Sequence, residues 1–475
     1  MMQFKQDGIK SFKGLMIGVL QVLVQGMGDA LQTIVDELDN ELPHPGPGWE
    51  SVGKKERRLS TLFGLTLVIS RRGYRRRGGN GAANGLFFPL DEALGLASEE
   101  RFCPLVQHLG ISLATETSFR KAAELLSSVF MVPVSHQQVH RWLQTAGAER
   151  EGEESEKVSA AFERGEEISA GTRVVPALVV EADGVFIRQQ RQAKRWQEYK
   201  LGVVHEGWEA TSPDGKRVRL KEKACWGGNL TTDSFWERGV ITLANRYDLT
   251  GLERVLLNGD GAAWIKEGQA HLGPAEFYLD PFHRNQALRR GLEGDLLSKA
   301  QSAVEAEDWS QLESILDQAV EAAKDPEAKK RAQDTRRYLK ANWDALGDWR
   351  KQTGTQPAGA KALGTMESQV RHIAAKRMKR NGTSWCPNGA NNMIQLRLLA
   401  QAGSLDSWLD GRNDARWASS TAHGNGRVAS EALNRLSKAD PAGWLRAGLP
   451  YLESQSTHTP LGRALKGLSR LRVAS

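Results

Sequence analysis

Ala177-Leu-Val-Val-Glu-Ala-Asp-Gly-Val-Phe-Ile187 is the stretch on which the reading of this chain turns. A run of apolar and β-branched residues ends in Asp183-Gly184, and a second apolar run begins at once. That is the pattern of two antiparallel strands joined by a tight turn. By itself, Asp-Gly is an ordinary hairpin turn that needs no chemistry to explain it. A second buried strand, Val255-Leu-Leu-Asn-Gly-Asp-Gly-Ala262, runs into Asp260. Two apolar strands, each ending in an aspartate, point to a shared carboxylate site, for which the rest of the chain must supply a third member.

Working outward, strands are expected at 176–181, 185–190 and 199–206. A helix near 233–247, a strand at 254–258, a helix from Ala262 and a strand at 276–279 follow. Three meandering strands and then alternating helices and strands are the order of an RNase H-like α/β core with a mixed sheet. From Pro281 to about Trp349 the pattern is purely helical, with Trp309, Trp343 and Trp349 as core anchors, so a helical insertion interrupts the core. After the break at Gly354-Thr-Gln-Pro-Ala-Gly359, a helix carries Glu367 and runs on through Arg371, Lys376, Arg377, Lys379 and Arg380.

Upstream, Gly14 to Val24 is apolar but too short to span a bilayer, and its helical spacing continues through Leu31, Ile34, Val35 and Leu38. Lys5, Lys10 and Lys13 resemble a signal peptide's basic start, but no cleavage site follows. Residues 57–77 read as a β-hairpin with Gly64 near its turn, ending in Arg71-Arg-Gly-Tyr-Arg-Arg-Arg77. Arg75, Arg76 and Arg77 suit either a solvated edge strand or a phosphate-contacting patch. Ser118 to Phe130 and a helix opened by the Ser135/Gln138 capping box form a helix-turn-helix-like pair. His136, Gln137, His140 and Arg141 can face a DNA groove from it. The four-residue spacing of the two histidines also suits a metal, but no third ligand lies nearby. Residues 149–167 read as a charged linker helix.

The expected organisation is an N-terminal helix (1–45), a basic hairpin with a helix-turn-helix-like region (46–150) and a linker helix (151–172). The core (173–285), the insertion (286–355), the Glu-bearing core helix (356–402) and a helical, loop-rich end (403–475) follow. At 475 residues the chain is too long for one ordinary core. Lys and Arg total 64 against 57 Asp and Glu, an excess compatible with a polyanionic partner. Cys103, Cys225 and Cys386 lie far apart, which argues against a zinc site or disulfide framework and fits a reducing cytoplasm.

Two-metal phosphodiester cleavage needs carboxylates that converge from separate elements around ions roughly 3.5–4 Å apart. Asp183 and Asp260 would stand on neighbouring strands, and Glu367 is the best third member. Close carboxylates repel, so at least one should have a raised pKa. Glu181 competes with Asp183, since two positions along a strand share a face. Glu206 is a lesser candidate.

Several motifs then acquire a common meaning: Glu181-Ala-Asp-Gly-Val-Phe-Ile187, Lys200-Leu-Gly-Val-Val-His-Glu-Gly-Trp208, Leu257-Asn-Gly-Asp-Gly-Ala-Ala-Trp-Ile-Lys266, Leu279-Asp-Pro-Phe-His-Arg-Asn285 and Leu363-Gly-Thr-Met-Glu-Ser368. With Met378-Lys-Arg-Asn-Gly-Thr-Ser-Trp385 and Asn388-Gly-Ala-Asn-Asn392, they span the chain from the basic hairpin to about Leu399. In this order the chain resembles the DDE-type transposases of bacterial insertion sequences, ISLre-type, whose members also circulated as an uncharacterised protein family.

The resemblance implies Asp183, Asp260 and Glu367 as a catalytic, metal-binding triad holding two Mg²⁺ or Mn²⁺ ions. It also implies the helical insertion between the second aspartate and the glutamate. Asp280 and His283 resemble the Asp/Cys-x-x-His pair of related transposases and are given a supporting role; Asp280 before Pro281 is equally a helix N-cap. The implied partners are double-stranded DNA, as inverted-repeat ends and target, and further copies of the chain, at least a dimer on DNA. No membrane is involved, and the place of action is the cytoplasm, on the nucleoid. The alternatives are a DNA-binding repressor or structural protein without activity, and a metal-dependent nuclease that does not join strands.

Overall fold

In the computed structural model, the strand that begins at Ala177 does not turn at Asp183-Gly184. It runs unbroken from Ala177 to Arg188, with Asp183 opposite Leu201 and Gly184 opposite Lys200. This corrects the expected hairpin. Gly184 takes ordinary extended backbone, and a Cβ there would run into the Glu198 side chain on the next strand, which accounts for the glycine without a turn. The reversal comes later, after Arg188, where Arg191 adopts a left-handed conformation at φ 55°. The structure describes residues 11–77, 86–97, 100–215, 217–359, 361–380 and 382–412. Most of the region expected at 403–475, with Trp417 and Trp444, lies outside them, as do Lys5 and Lys10.

The chain divides into two units, residues 1–114 with 118–140 and 406–475, and residues 115–117 with 141–405. In the first, α1 (Phe12–Glu41) starts at Ser11, whose side chain accepts a hydrogen bond from the Gly14 N–H. The far half of α1 packs Val35 and Leu38 against Leu59, Leu67 and Ile69 of a hairpin, β1 (Trp49–Ser60) and β2 (Thr66–Arg76), and Leu90 of α2 (Pro89–Ala93). The near half leaves Phe12, Met16 and Leu23 exposed. Gly64, at φ 74°, lies in the hairpin's connection. Arg71 and Arg72 of the basic cluster are held by carboxylates, as is Arg57 on the facing strand. Arg57 and Arg71 are buried and share the Asp91 carboxylate, each at 2.9 Å, and Arg72 pairs with Asp39.

Two helices follow, α3 (Pro104–Glu116) and α4 (Phe119–Ser128), the latter capped by Ser118. Ser135 likewise accepts from the Gln138 N–H and opens α5 (His136–Val158). This helix continues through a π-turn at 159–163. The linker helix expected from residue 149 is therefore the second half of α5, and the boundary at 150 falls inside it. Charged pairs one turn apart, Arg150 with Glu153 and Glu154, and Lys157 with Glu154, favour continuation over a break.

The second unit is a mixed α/β structure around a five-stranded sheet. Its strands are β4 (Ala177–Arg188), β5 (Trp196–His205), β8 (Ala224–Gly228), β10 (Arg254–Gly259) and β11 (Ala275–Leu279), in spatial order β11-β10-β4-β5-β8. The β4-β5-β8 half is antiparallel and the β4-β10-β11 half parallel. Strand β8, Ala-Cys-Trp-Gly-Gly, is short and glycine-rich, and its sequence carries no clear strand signal. Four short strands lie off the sheet. β3 (Arg173–Val174) pairs with β9 (Tyr247–Asp248), and β6 (Trp208–Ala210) with β7 (Val218–Leu220).

Because β4 and β10 are covered on both faces, they read as continuous apolar runs. Leu178, Val180 and Ala182 pack with Val255 and Leu257 against Phe235 and Trp236 of α6 (Thr232–Ala244). Each fully buried valine or leucine contributes roughly 1.5–3 kcal/mol. The opposite face carries Val179, Leu256, Tyr278, Trp208, Trp349 and Leu363 in a second core. By strand alternation Glu181, Asp183, Asn258 and Asp260 belong to this second face. Two short helices, α7 (Ala263–Lys266) and α8 (Gly268–His271), bridge β10 to β11.

The helical insertion is α9 (Pro281–Gly291), α10 (Gly294–Glu305), α11 (Trp309–Ala322) and α12 (Pro326–Ala341), with its own core of Leu288, Leu312, Leu316 and Leu339. The chain returns through α13 (Met366–Val370), a π-turn at 371–375, α14 (Lys376–Met378) and α15 (Pro387–Ala402). No described helix is long and apolar enough to cross a membrane.

Candidate active site

Asp183 sits in the middle of β4, nearly buried, while Asp260 is the first residue beyond β10. Strands β4 and β10 are paired in parallel with Asn258 opposite Glu181, which brings the two aspartates to one end of one sheet face. Asp280 follows the neighbouring strand β11, and its N–H bonds to the Gly259 carbonyl at 2.8 Å, holding the two strand ends together. Glu367 is the second residue of α13, which packs on the same face.

These residues share one electrostatic environment. Burial pushes the Asp183 carboxyl up from its usual 3.8 to about 6, and the carboxylates of Asp260 and Glu367 push in the same direction. His283 and the Gly184 N–H oppose them. The His283 imidazole is held above its ordinary range, first by its hydrogen bond to Asp280 and then by the charges of Asp183, Asp280 and Asp260. Its Nδ1 lies 2.6 Å from Asp280 Oδ2. The Asp280 carboxylate also accepts from the Phe282 and His283 N–H groups as the N-cap of α9, so one carboxylate both caps the helix and orients the ring.

Each aspartate of the candidate triad uses one oxygen on a backbone donor, Asp183 on Gly184 at 2.7 Å and Asp260 on Ala262 at 2.9 Å. Glu367 has no hydrogen-bond or ion-pair partner among the described residues and is exposed. The donor set is all oxygen, which suits a hard divalent cation. Among the described residues, no three His, Cys, Asp or Glu side chains stand close enough to enclose an ion. Mutual repulsion of carboxylates favours such an open arrangement.

Glu181 does a different job from the one weighed for it. Its Oε2 accepts from the Thr365 N–H at 2.7 Å and the Met366 N–H at 2.9 Å, at the start of the helix that carries Glu367. Its Oε1 lies 3.6 Å from His205 Nε2, and both side chains are fully buried. Gly364, at φ 107°, passes so close to Asp280 that a Cβ would stand 2.6 Å from Oδ1. Glu206 is occupied by Arg173 at 2.7 Å and Lys221 at 3.0 Å and is structural.

The insertion reaches the site as well. Tyr338 of α12 donates to the Asp260 backbone carbonyl at 2.7 Å. Asn342 packs against Gly261, which at φ 88° leaves no room for a side chain. No sequence spacing signals either residue. A cleft of about 590 Å³ opens here, lined by Asp260, by His283, Arg289 and Arg290 of α9, and by Thr335 and Tyr338 of α12.

The candidate DNA contacts are unequal. Arg75 pairs with Glu50, Arg76 lies over the Trp49 ring at 5.5 Å, and Arg77 is exposed. Gln137, His140 and Arg141 are exposed and His136 is half-buried. His140 rests edge-on against Phe119, and burial with the nearby His136 keeps it below its ordinary pKa. Arg371, Lys376, Lys379 and Arg380 are exposed. Arg377 instead lies over Trp385 at 5.2 Å, and its burial, with Arg397 nearby, pushes it down to about 10. It is a packing cation and not a free phosphate contact.

Comparison with known proteins gives a consistent match over most of the chain. A UPF0236 protein of Streptococcus gallolyticus, named for its place in the vanSb 3′ region, is 28% identical over 399 residues, covering 82% of each chain. A UPF0236 protein of Caldanaerobacter subterraneus subsp. tengcongensis is 23% identical over 413 residues, covering 85% of this chain and 81% of its own. Its name joins eleven gene designations. Another from the same organism, 21% identical over 402 residues (82% of this chain, 79% of its own), joins four. Residues 5–414 match the uncharacterised protein family UPF0236, and the chain belongs to that family.

Proposed function

We propose that the protein is a DDE-type transposase of a bacterial insertion sequence, with Asp183, Asp260 and Glu367 as its catalytic carboxylates on an RNase H-like core. The carrying observation is that a strand, a strand end and a helix bring these three side chains within electrostatic reach at Asp183, which burial first, and then the Asp260 and Glu367 carboxylates, raise to about 6. The strand order β11-β10-β4-β5-β8 supports the core assignment. The eleven and four designations joined in relatives' names support a mobile gene, since copying an element within a genome produces multiple copies of its gene.

In this reading Asp183, Asp260 and Glu367 would hold two Mg²⁺ or Mn²⁺ ions, which when bound supply charge neutralisation and Lewis acidity at the phosphate. The protein's own residues orient the reaction. Water attacks phosphorus in line, the bond to the 3′-oxygen breaks, and that oxygen leaves as a 3′-hydroxyl after taking a proton. The hydroxyl then attacks a target phosphodiester, forming one P–O bond as another breaks. Asp183 must be ionised, and the His283 cation favours that form. Asp280 fixes the His283 ring through Nδ1, and the ring's charge acts on Asp183. Tyr338 holds the Asp260 backbone, and Glu181 sets the helix of Glu367. Because two element ends are joined, at least two copies act together on DNA.

The test is cleavage and joining of labelled element ends by purified protein with Mg²⁺ or Mn²⁺, against Asp183→Asn, Asp260→Asn and Glu367→Gln. Loss of both steps in all three variants is expected. Variants that cut as well as the parent would remove the triad. Cutting without any joining would make the protein a nuclease.

A further inference from the structure

We propose that the tip of the β4–β5 hairpin, residues 186–196, is a nucleic-acid-binding surface that grips a DNA strand beyond the carboxylate site, with Phe186, Arg188 and Trp196 on the strand face opposite that of Asp183. The proposal rests on the DNA reading of that site but concerns residues that take no part in it. Strand β4 continues five residues past Asp183 to Arg188, a rise of about 17 Å. Beyond it the chain reads Arg188-Gln-Gln-Arg-Gln-Ala-Lys-Arg-Trp196. Arg188, Arg191, Lys194 and Arg195 have no ion-pair partner among the described residues.

Two large aromatics accompany these cations. Phe186 is 50% exposed and Trp196 is 46% exposed. The register pairs Arg188 with Trp196 and Phe186 with Glu198, so Phe186, Arg188 and Trp196 share one face of the hairpin as direct and diagonal neighbours. Cations that take phosphates, set beside aromatics that take unstacked bases, are the ordinary composition of a single-strand track. The hairpin outruns its neighbours, since β10 pairs only with residues 177–181 and β8 only with residues 200–204; charges that block edge pairing would account for the cations there, but not for the exposed Phe186 and Trp196 beside them.

The tip is also held in place. The Gln190 N–H donates to the Trp385 carbonyl, and the Trp385 N–H to the Arg188 carbonyl, both at 2.9 Å. On the buried face, the Tyr199 hydroxyl donates to the Pro387 carbonyl at 3.1 Å. Trp385 in turn donates from its indole N–H to the Met378 carbonyl at 3.1 Å, which ties the hairpin to the segment that carries the exposed Lys376, Lys379 and Arg380.

The test uses the full chain without divalent ions. A fluorescein-labelled 40-base-pair duplex with a ten-nucleotide single-stranded flap is titrated at several salt concentrations, followed by anisotropy. Arg191→Ala/Lys194→Ala/Arg195→Ala should weaken binding at least tenfold and flatten the logarithmic salt dependence by about two to three. Trp196→Ala should weaken binding of the flapped probe at least fivefold and of the plain duplex less than twofold. Lys329→Ala/Lys330→Ala, which removes exposed cations from α12, should stay within twofold, and thermal melting confirms that each variant is folded. If the hairpin variants keep the parent's affinity and salt dependence, or the α12 variant loses as much, the proposal is overturned while the parent's binding leaves the DNA reading standing. If the parent binds neither probe, both fail.

Discussion

The carboxylate of Glu181, buried in β4, accepts a 2.7 Å hydrogen bond from the Thr365 N–H, 184 residues further along the chain. Two positions from Asp183, it anchors the helix that carries Glu367. The strand that bears one candidate catalytic carboxylate therefore aims another. Glu181→Ala strands two buried N–H donors at about 1–3 kcal/mol each. A urea midpoint shift equivalent to on the order of 3 kcal/mol is expected, together with loss of strand cleavage. Glu181→Gln retains an acceptor and should recover most of the stability; an alanine variant as stable as the parent would remove the anchor.

Asp183→Asn should stabilise the protein at pH 8. The folded carboxyl titrates near 6 against 3.8 for the ordinary group. Protonation thus favours the folded state, and the penalty of the ionised form grows as pH rises from about 4 to 6 and is complete above that. The move corresponds to about 3 kcal/mol at most. Thermal melting of parent and variant should diverge across that window and converge below pH 4.

His283→Ala removes the cation that holds Asp183 down. The Asp183 carboxyl should then titrate above 6, moving the acid limb of the pH–rate profile to higher pH. Asp280→Asn, which takes away the charge behind the ring, should shift the limb in the same direction by less. An unmoved limb would show that His283 is only part of the helix cap.

Tyr338→Phe deletes the hydroxyl that bonds the Asp260 carbonyl while keeping the ring. Loss of about 1 kcal/mol of stability is expected. A fall in cleavage rate larger than that loss implies would mark Tyr338 as a positioning residue. Equal, small changes in both would make it structural only.

Mn²⁺ should raise the melting temperature of the parent at pH 8 in proportion to its saturation, because a ligand of the folded state alone stabilises it. The increase should fade as pH falls through about 6, where Asp183 takes up a proton. It should be absent in Asp183→Asn/Asp260→Asn. A rise that persists in the double variant would put the ions elsewhere.

The main elements from α6 to β11, the helical insertion after Asp280, and the caps at Ser135 and Asp280 were legible in the sequence. Periodicity and capping act within a few residues, so local order carries them.

What sequence order could not settle was every choice made by a distant partner. Asp183-Gly184 has the composition of a turn, but pairing with Leu201 and Lys200 keeps it in a strand. Arg71 belongs to a cluster fit for phosphates, yet Asp91 holds it inside together with Arg57. Glu181 and Asp183 are equivalent by strand alternation, and only the arrival of Thr365 and Met366 gives one the helix and leaves the other to the site. Tyr338 reaches Asp260 from a helix 78 residues downstream. Local propensity proposes such roles, but the free energy that decides them comes from long-range pairing and burial, which exist only once the chain has closed on itself.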